Sequence, residues 1–229
     1  MAVFVLIHSP FVGALTWQPT ARVLEQKGHS RMVPAFTGIR PPYWPHYANV
    51  IAEAIQTVPT NEPVVLVAHS AAGLVIPAAR AALHDYKIRS YIFADAVIPR
   101  KGASLGDLIP ASVGIGMKEI RAQATAGLLP PWGTGWPEDV WRRLIPDAAL
   151  RAQFADELRP TPLALYEEPV SWASAWPDAP CRYLRFSALY ANEENEAQRS
   201  GWVTRQIPGN HLHMLVRPAD VAECLIERA

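Results

Sequence analysis

An excess of charge of either sign is what this sequence most plainly lacks. Its 21 lysines and arginines are matched by 21 aspartates and glutamates, and charged residues fill only 18% of 229 positions. Gripping a phosphate backbone needs a basic face, so nucleic acid is not an expected partner. Cysteine is nearly absent. Cys181 and Cys224 are too few, and too far from any ligand motif, for a disulfide framework or a metal site. No apolar run approaches the ~18 residues of a membrane span. The opening Met1-Ala2-Val3-Phe4-Val5-Leu6-Ile7 lacks the basic flank and the length of a signal segment and reads as a first strand. Internal repeats and low-complexity tracts are missing too. The expectation is a cytoplasmic protein with no membrane, cofactor or metal partner.

What is present is apolar sequence, at 50% of the chain. This length supports one well-buried domain with an insertion better than two independent domains. Buried-strand patterns recur at Val3–His8, Arg31–Ala35, Val64–Ala68, Tyr91–Ala96, Arg182–Phe186 and Trp202–Ile207. Helical patterns fall between or after them at Trp17–Lys27, Tyr47–Thr57, Ala71–Leu83 and Pro218–Arg228. That alternation predicts an α/β fold whose mostly parallel sheet is covered on both faces, with ligands at the carboxyl ends of the strands.

The alternation breaks once. From Arg100 to Pro180 no strand is expected, only helical pieces at Gly116–Thr125, Pro137–Leu144 and Asp147–Leu158. A structureless connection of that size is improbable, so residues 100–180 read as a small helical cap over a core of 1–99 and 181–229. The interval holds Trp132, Trp136, Trp141, Trp172 and Trp176, five of the eight tryptophans. Either they pack the cap onto the core, or some of them, Trp132 and Trp136 foremost, wall a ligand pocket. The cluster Glu193-Glu194-Asn195-Glu196 reads as a solvated helix start.

Chemistry concentrates where Val64-Val65-Leu66-Val67-Ala68-His69 runs into Ser70-Ala71-Ala72-Gly73. A serine between an apolar strand and a helix-forming segment, flanked by small residues, is the pattern of a nucleophile elbow, a strained turn that holds the hydroxyl out. The two glycines of G-x-S-x-G are lacking here; Ala68 and Ala72 replace them, and Gly73 comes one place late. Read alone, the stretch also fits a serine capping an ordinary helix. A serine nucleophile needs a base, and the base needs an orienting acid. His211 follows Gly209-Asn210 past the last strand and is the favoured base over His213. Asp95, in the apolar run Phe93-Ala94-Asp95-Ala96, is the candidate acid, since a charge there is costly unless paired. The competing role for Asp95 is to cap the amides of Val97 and Ile98.

His8-Ser9-Pro10-Phe11-Val12-Gly13-Ala14-Leu15-Thr16-Trp17, the Ala68–Gly73 elbow and Gly209-Asn210-His211-Leu212-His213-Met214-Leu215 lie near the start, middle and end of the chain. Together they resemble the α/β-hydrolases, nearest the small capped branch of plant-type methyl esterases and hydroxynitrile lyases, with its H-G-A-x-H-G-x-W-x-W and D-H-M-P-M-L segments. The chain order Ser70, Asp95, His211 is the Ser…Asp/Glu…His order of α/β-hydrolase triads, and the resemblance implies an oxyanion hole from the amide of Ala71 plus one from the loop after the first strand. Two departures stand out. Where that branch carries its acid, this chain reads Ser187-Ala188-Leu189-Tyr190, with Glu193 and Glu194 the nearest carboxylates. Where it supplies the loop N–H, this chain has Pro10, which has none, so Phe11 N–H or the Ser9 hydroxyl must serve if anything does. Three readings stay open. The leading one is a serine hydrolase of a small-to-medium, largely apolar ester, thioester or amide, with Phe11, Trp132 and Trp136 against the substrate. A lyase, isomerase or cyclase using the same serine and histidine for proton transfer is the second, and a non-catalytic binding protein the third. Whether the chain forms a homodimer is left open.

Overall fold

The structure is a computed structural model and describes residues 2–109, 115–172 and 176–228. Its described strands are β1 (Val3–Ile7), β2 (Ser30–Met32), β3 (Val64–Ser70), β4 (Ile88–Ala96), β5 (Leu128–Leu129), β6 (Thr161–Pro162), β7 (Cys181–Arg185) and β8 (Val203–Gln206). Six of them form one sheet in the order β2-β1-β3-β4-β7-β8, and every pairing in it is parallel. The helices are α1 (Gln18–Gln26), α2 (Tyr43–Ala54), α3 (Ile76–Ala82), α4 (Met117–Gln123), α5 (Glu138–Leu144), α6 (Ala148–Glu157), α7 (Ala164–Glu167), α8 (Ala191–Arg199), α9 (His213–Val216) and α10 (Pro218–Arg228).

The central strands are apolar throughout because both faces of the sheet are covered. Val3, Val5, Ile7, Leu66, Tyr91 and Phe93 point into one core with Tyr47 and Ile51 of α2 and Ile76 of α3. The alternating residues Phe4, Leu6, Val65, Val67 and Ile92 pack on the other side against Leu24 of α1 and Val221 and Leu225 of α10. Edge strands β2 and β8 read Ser-Arg-Met and Val-Thr-Arg-Gln and stay largely exposed, polar enough to discourage pairing with another chain. β1 sits between β2 and β3, so the connections leaving its carboxyl end and that of β3 diverge and open a crevice there.

Several elements differ from the sequence expectation. The second strand is Ser30–Met32 rather than Arg31–Ala35, and Pro34 has no N–H for a ladder there. The helix expected over Ala71–Leu83 is a 3₁₀ turn, Ala71–Val75, followed by α3. Pro77 explains the break, since it fits only in the first turn of an α-helix. The interval expected to lack strands contains the antiparallel ribbon β5–β6; two residues per strand are too few to show a period of two. Residues 110–114 and 173–175 of that interval lie outside the described residues.

Carboxylates of the 100–180 interval tie it to the rest of the molecule, Asp178 to Tyr91 of β4 and to Arg80. Glu168 accepts from the amides of Tyr43 and Trp44 at 2.8 and 3.0 Å, and so occupies the N-terminus of α2. The residue before that helix is Pro42, which offers no capping side chain, so Glu168 replaces a local cap and meets the positive end of the helix. Glu157 of α6 accepts from Leu15 N at 3.0 Å. Beside it Val12, Leu15, Ile145, Phe154 and Leu212 close a third apolar cluster between interval and sheet. Among the described residues no helix is long and apolar enough to cross a membrane.

Candidate active site

Strand β3 ends on Ser70, whose φ of 58° and ψ of −131° lie outside the regions open to ordinary L-residues. Such strain persists where the surroundings enforce it. Ala68 and Ala72 are fully buried on either side. Gly73 carries the tightest requirement: a Cβ there would fall 1.9 Å from the carbonyl oxygen of Val97. The small residues of the elbow therefore answer two different contacts, and the glycine stands where the turn meets the end of β4.

Asp95 sits at a break in register. His69 pairs with Ala94 and Ser70 with Ala96, so Asp95 is the extra residue of a bulge, with φ of 45°. The bulge places its fully buried carboxylate at the end of β7. There it accepts from Phe186 N at 2.8 Å, from Ser187 N at 3.1 Å and from Ser187 Oγ at 2.6 Å. Val97 N donates instead to Ser70 O, so Asp95 does not cap the Val97 amide. Tyr183 staples the next residue, its hydroxyl donating to Ala96 O at 2.7 Å and accepting from Ala96 N at 3.1 Å.

His211 closes the group. Its Nδ1 lies 3.1 Å from Asp95 Oδ2. A carboxylate only accepts, so Nδ1 carries the proton and Nε2 is left as the basic nitrogen. Asn210 shapes the turn: its Oδ1 accepts from Leu212 N at 2.8 Å and its amide donates to Arg143 O and Leu144 O. His69 Nε2 donates to His211 O at 2.9 Å. Burial drives the His69 pKa well below the usual histidine value, with the neighbouring His211 adding to the effect. His69 is thus a neutral strut under the His211 backbone. His213, the rival base, is the first residue of α9 and packs its ring against Phe186 at 5.6 Å.

Ser70, Ala71, Phe11, Trp132, Trp136 and His211 all line one cavity of about 310 Å³. Apolar side chains of the 100–180 interval, Leu105 and Ile120 among them, complete its wall. Trp172 and Trp176 face elsewhere, packing on each other and on Tyr91 and Phe93 of the sheet. Phe11 N–H points back to Ser9 Oγ over a long 3.4 Å. Neither alternative acid reaches His211 by a hydrogen bond among the described residues. Glu194 is paired with Arg185. Glu193 is buried with Oε2 unpartnered, and burial raises its pKa. The expected helix start is present as the first turns of α8, and Glu193 departs from the expected solvation, because α8 packs that side against the sheet.

Tyr190 is the residue that sequence reasoning passed over. Its hydroxyl lies 3.3 Å from Ser70 Oγ, and its ring stacks on His211 with centroids 5.1 Å apart and planes at 11°. Among the described residues no hydrogen bond joins Ser70 to His211. The signal lay in the segment Ser187-Ala188-Leu189-Tyr190, noted only for the carboxylate it lacks.

A parallel sheet that delivers a strained serine, a buried aspartate and a histidine to one end of adjoining strands defines an α/β-hydrolase. The chain belongs to the alpha/beta hydrolase family, whose profile matches residues 4–224, and it is an enzyme of that class. It is similar to a carbendazim-hydrolysing esterase of Nocardioides sp. (strain SG-4G), 28% identical over a 250-residue alignment covering 98% of each chain. An α-hydroxynitrile lyase of Arabidopsis thaliana is 32% identical over 104 residues, 42% of this chain and 40% of that one. Among solved structures, an extracellular α/β-hydrolase from a Paenibacillus species, sharing structural and functional homology with tobacco salicylic acid binding protein 2, superposes with a TM-score of 0.73. It is 20% identical, with 99% of this chain and 98% of that one covered.

Proposed function

We propose that the enzyme is a serine hydrolase acting on a small-to-medium, largely apolar ester, thioester or amide. The observation that carries this reading is the His211–Asp95 contact of 3.1 Å at the edge of an apolar cavity that also contains Ser70. Ser70 Oγ attacks the substrate carbonyl while His211 Nε2 takes the hydroxyl proton. The carbonyl π pair moves onto oxygen, and collapse of the adduct expels the leaving group, which receives the proton from His211. Water then attacks the acyl-enzyme by the same route, releasing the acid and restoring Ser70. For this the Ser70 hydroxyl turns its hydrogen toward His211, an alignment that substrate binding commonly completes. Residues 100–180 serve as the cap, and Phe11, Trp132 and Trp136 contact the substrate. The carbendazim-hydrolysing relative supports the choice of an ester- or amide-like bond.

Pro10 favours a second reading, proton transfer by Ser70 and His211 in a lyase, isomerase or cyclase. Without an N–H at position 10, and with Phe11 N–H bonded to Ser9, the amide of Ala71 stands with less help than acyl transfer usually receives. One experiment separates the two. Under the hydrolase reading a fluorophosphonate labels Ser70 rapidly, and Ser70→Ala lowers kcat toward p-nitrophenyl esters by about 10⁴-fold or more without loss of fold. Absent labelling with intact folding moves the assignment to proton transfer.

A further inference from the structure

We infer that Tyr190 is a catalytic residue, the hydroxyl donor that stabilises the oxyanion in place of the N–H missing at Pro10. The inference rests on the serine-hydrolase reading and adds to it a residue that the sequence pattern of the branch does not mark.

Three observations carry it. The Tyr190 hydroxyl is 3.3 Å from Ser70 Oγ, the atom to which the reacting carbon becomes bonded. An oxyanion on that carbon lies one bond angle away from Oγ, within the reach of a donor so placed. Second, the loop after β1 is short of amides: Pro10 has none, and that of Phe11 turns back to Ser9 Oγ at 3.4 Å. Third, the ring is held. It is 7% exposed, stacks on His211 at 5.1 Å, and belongs to the 3₁₀ turn Ala188–Tyr190 that leads directly into α8. A ring fixed before the reaction leaves only the hydroxyl hydrogen to turn during it, which keeps the reorganisation that oxyanion stabilisation must avoid small.

Burial raises the Tyr190 pKa above the usual phenol value, outweighing the hydrogen bond to Ser70 that lowers it. The hydroxyl therefore stays protonated and donates. In the ground state it bonds Ser70 Oγ; as Oγ adds to the carbonyl and its proton passes to His211, the Tyr190 O–H swings to the new oxyanion. Its own proton stays on the phenol, and the bond is released when the adduct collapses.

Tyr190→Phe keeps the ring and its stack on His211 and deletes only the donor. With p-nitrophenyl butyrate, kcat is expected to fall about 10²- to 10³-fold while KM changes little, the loss typical of one oxyanion donor. An aryl trifluoromethyl ketone, which adds Ser70 Oγ to form a stable hemiketal oxyanion, should bind more weakly by a similar factor. A purely structural role would not move that affinity in step with kcat. An unchanged kcat, a raised kcat, or a lowered kcat with unchanged ketone affinity each overturns the inference. Should Tyr190→Phe fold poorly, 3,5-difluorotyrosine at 190 offers nearly the same shape with a stronger donor. Tighter ketone binding is then expected at a pH where the phenol remains protonated, and no tightening overturns the inference. Ser70→Ala measured alongside separates the two levels: if it remains active, the hydrolase reading itself fails, whatever Tyr190→Phe does.

Discussion

At the scale of single residues, Asp95 is the most constrained. It combines full burial, a positive φ and hydrogen bonds from two amides, a hydroxyl and an imidazole. An apolar strand accepts a carboxylate only with partners of this kind. Ser187 supplies two of them, through its amide and its hydroxyl. Asp95→Asn replaces an acceptor oxygen with an NH₂ among groups that already donate. Under the proposed mechanism kcat should fall about 10⁴-fold because the imidazole loses its required tautomer. Stability should fall by about 1–3 kcal/mol for the unsatisfied donors; steady-state rates and urea midpoints measure the two. An equal rate loss in Glu193→Gln or Glu194→Gln, with a mild one in Asp95→Asn, would assign the acid to α8. The identity of Asp95 as an unusual charge was readable from its apolar neighbours. The donors at Phe186 and Ser187 were not, because they come from residues more than ninety positions away.

At the scale of elements, the elbow shows how a motif can drift and still hold its geometry. Ala68 and Ala72 satisfy the rule of small residues beside the serine, and the glycine has moved to position 73, where the 3₁₀ turn rests on Val97 O. Gly73→Ala should therefore cost more than an ordinary substitution on a helix, at least about 2 kcal/mol, since backbone must move to admit the methyl. Thermal melting of Gly73→Ala checks this, with exposed Gly135→Ala unsuitable as a control because its φ is positive. Equal stability would show that β4 yields easily at its end. Helix α2 makes a related point: its start was placed four residues late by apolar pattern alone, because Tyr43 and Trp44 begin it only with Glu168 from a distant segment at their amides. A cap supplied across 124 residues leaves no local trace.

At the scale of the whole molecule, three histidines are buried in the neutral form. Burial lowers His8 from 6.5 to about 4, and it also lowers His69 and His213. The unfolded chain protonates these side chains more readily than the folded one, so stability is full above pH 6.5 and is lost as pH falls toward 4. His8 alone withdraws on the order of 3 kcal/mol across that window. Urea midpoints should decline steadily from pH 7 to 4.5, and His8→Asn should flatten the decline. A midpoint insensitive to pH in this range would mean that these rings are solvated in the folded state.

The sequence by itself determined the sheet-and-helix order, the serine at the end of β3, the histidine past the last strand and the break in alternation at residue 100. Each is written in local apolar periodicity or in a short motif, which neighbouring residues alone enforce. Only the tertiary structure decided that Asp95 leaves the β4 ladder in a bulge, that Glu193 is buried, and that Tyr190 meets Ser70. Those outcomes depend on how strand ends align across the sheet. A register shift of one residue redirects a side chain, and the sequence of one strand does not specify the register of its neighbour.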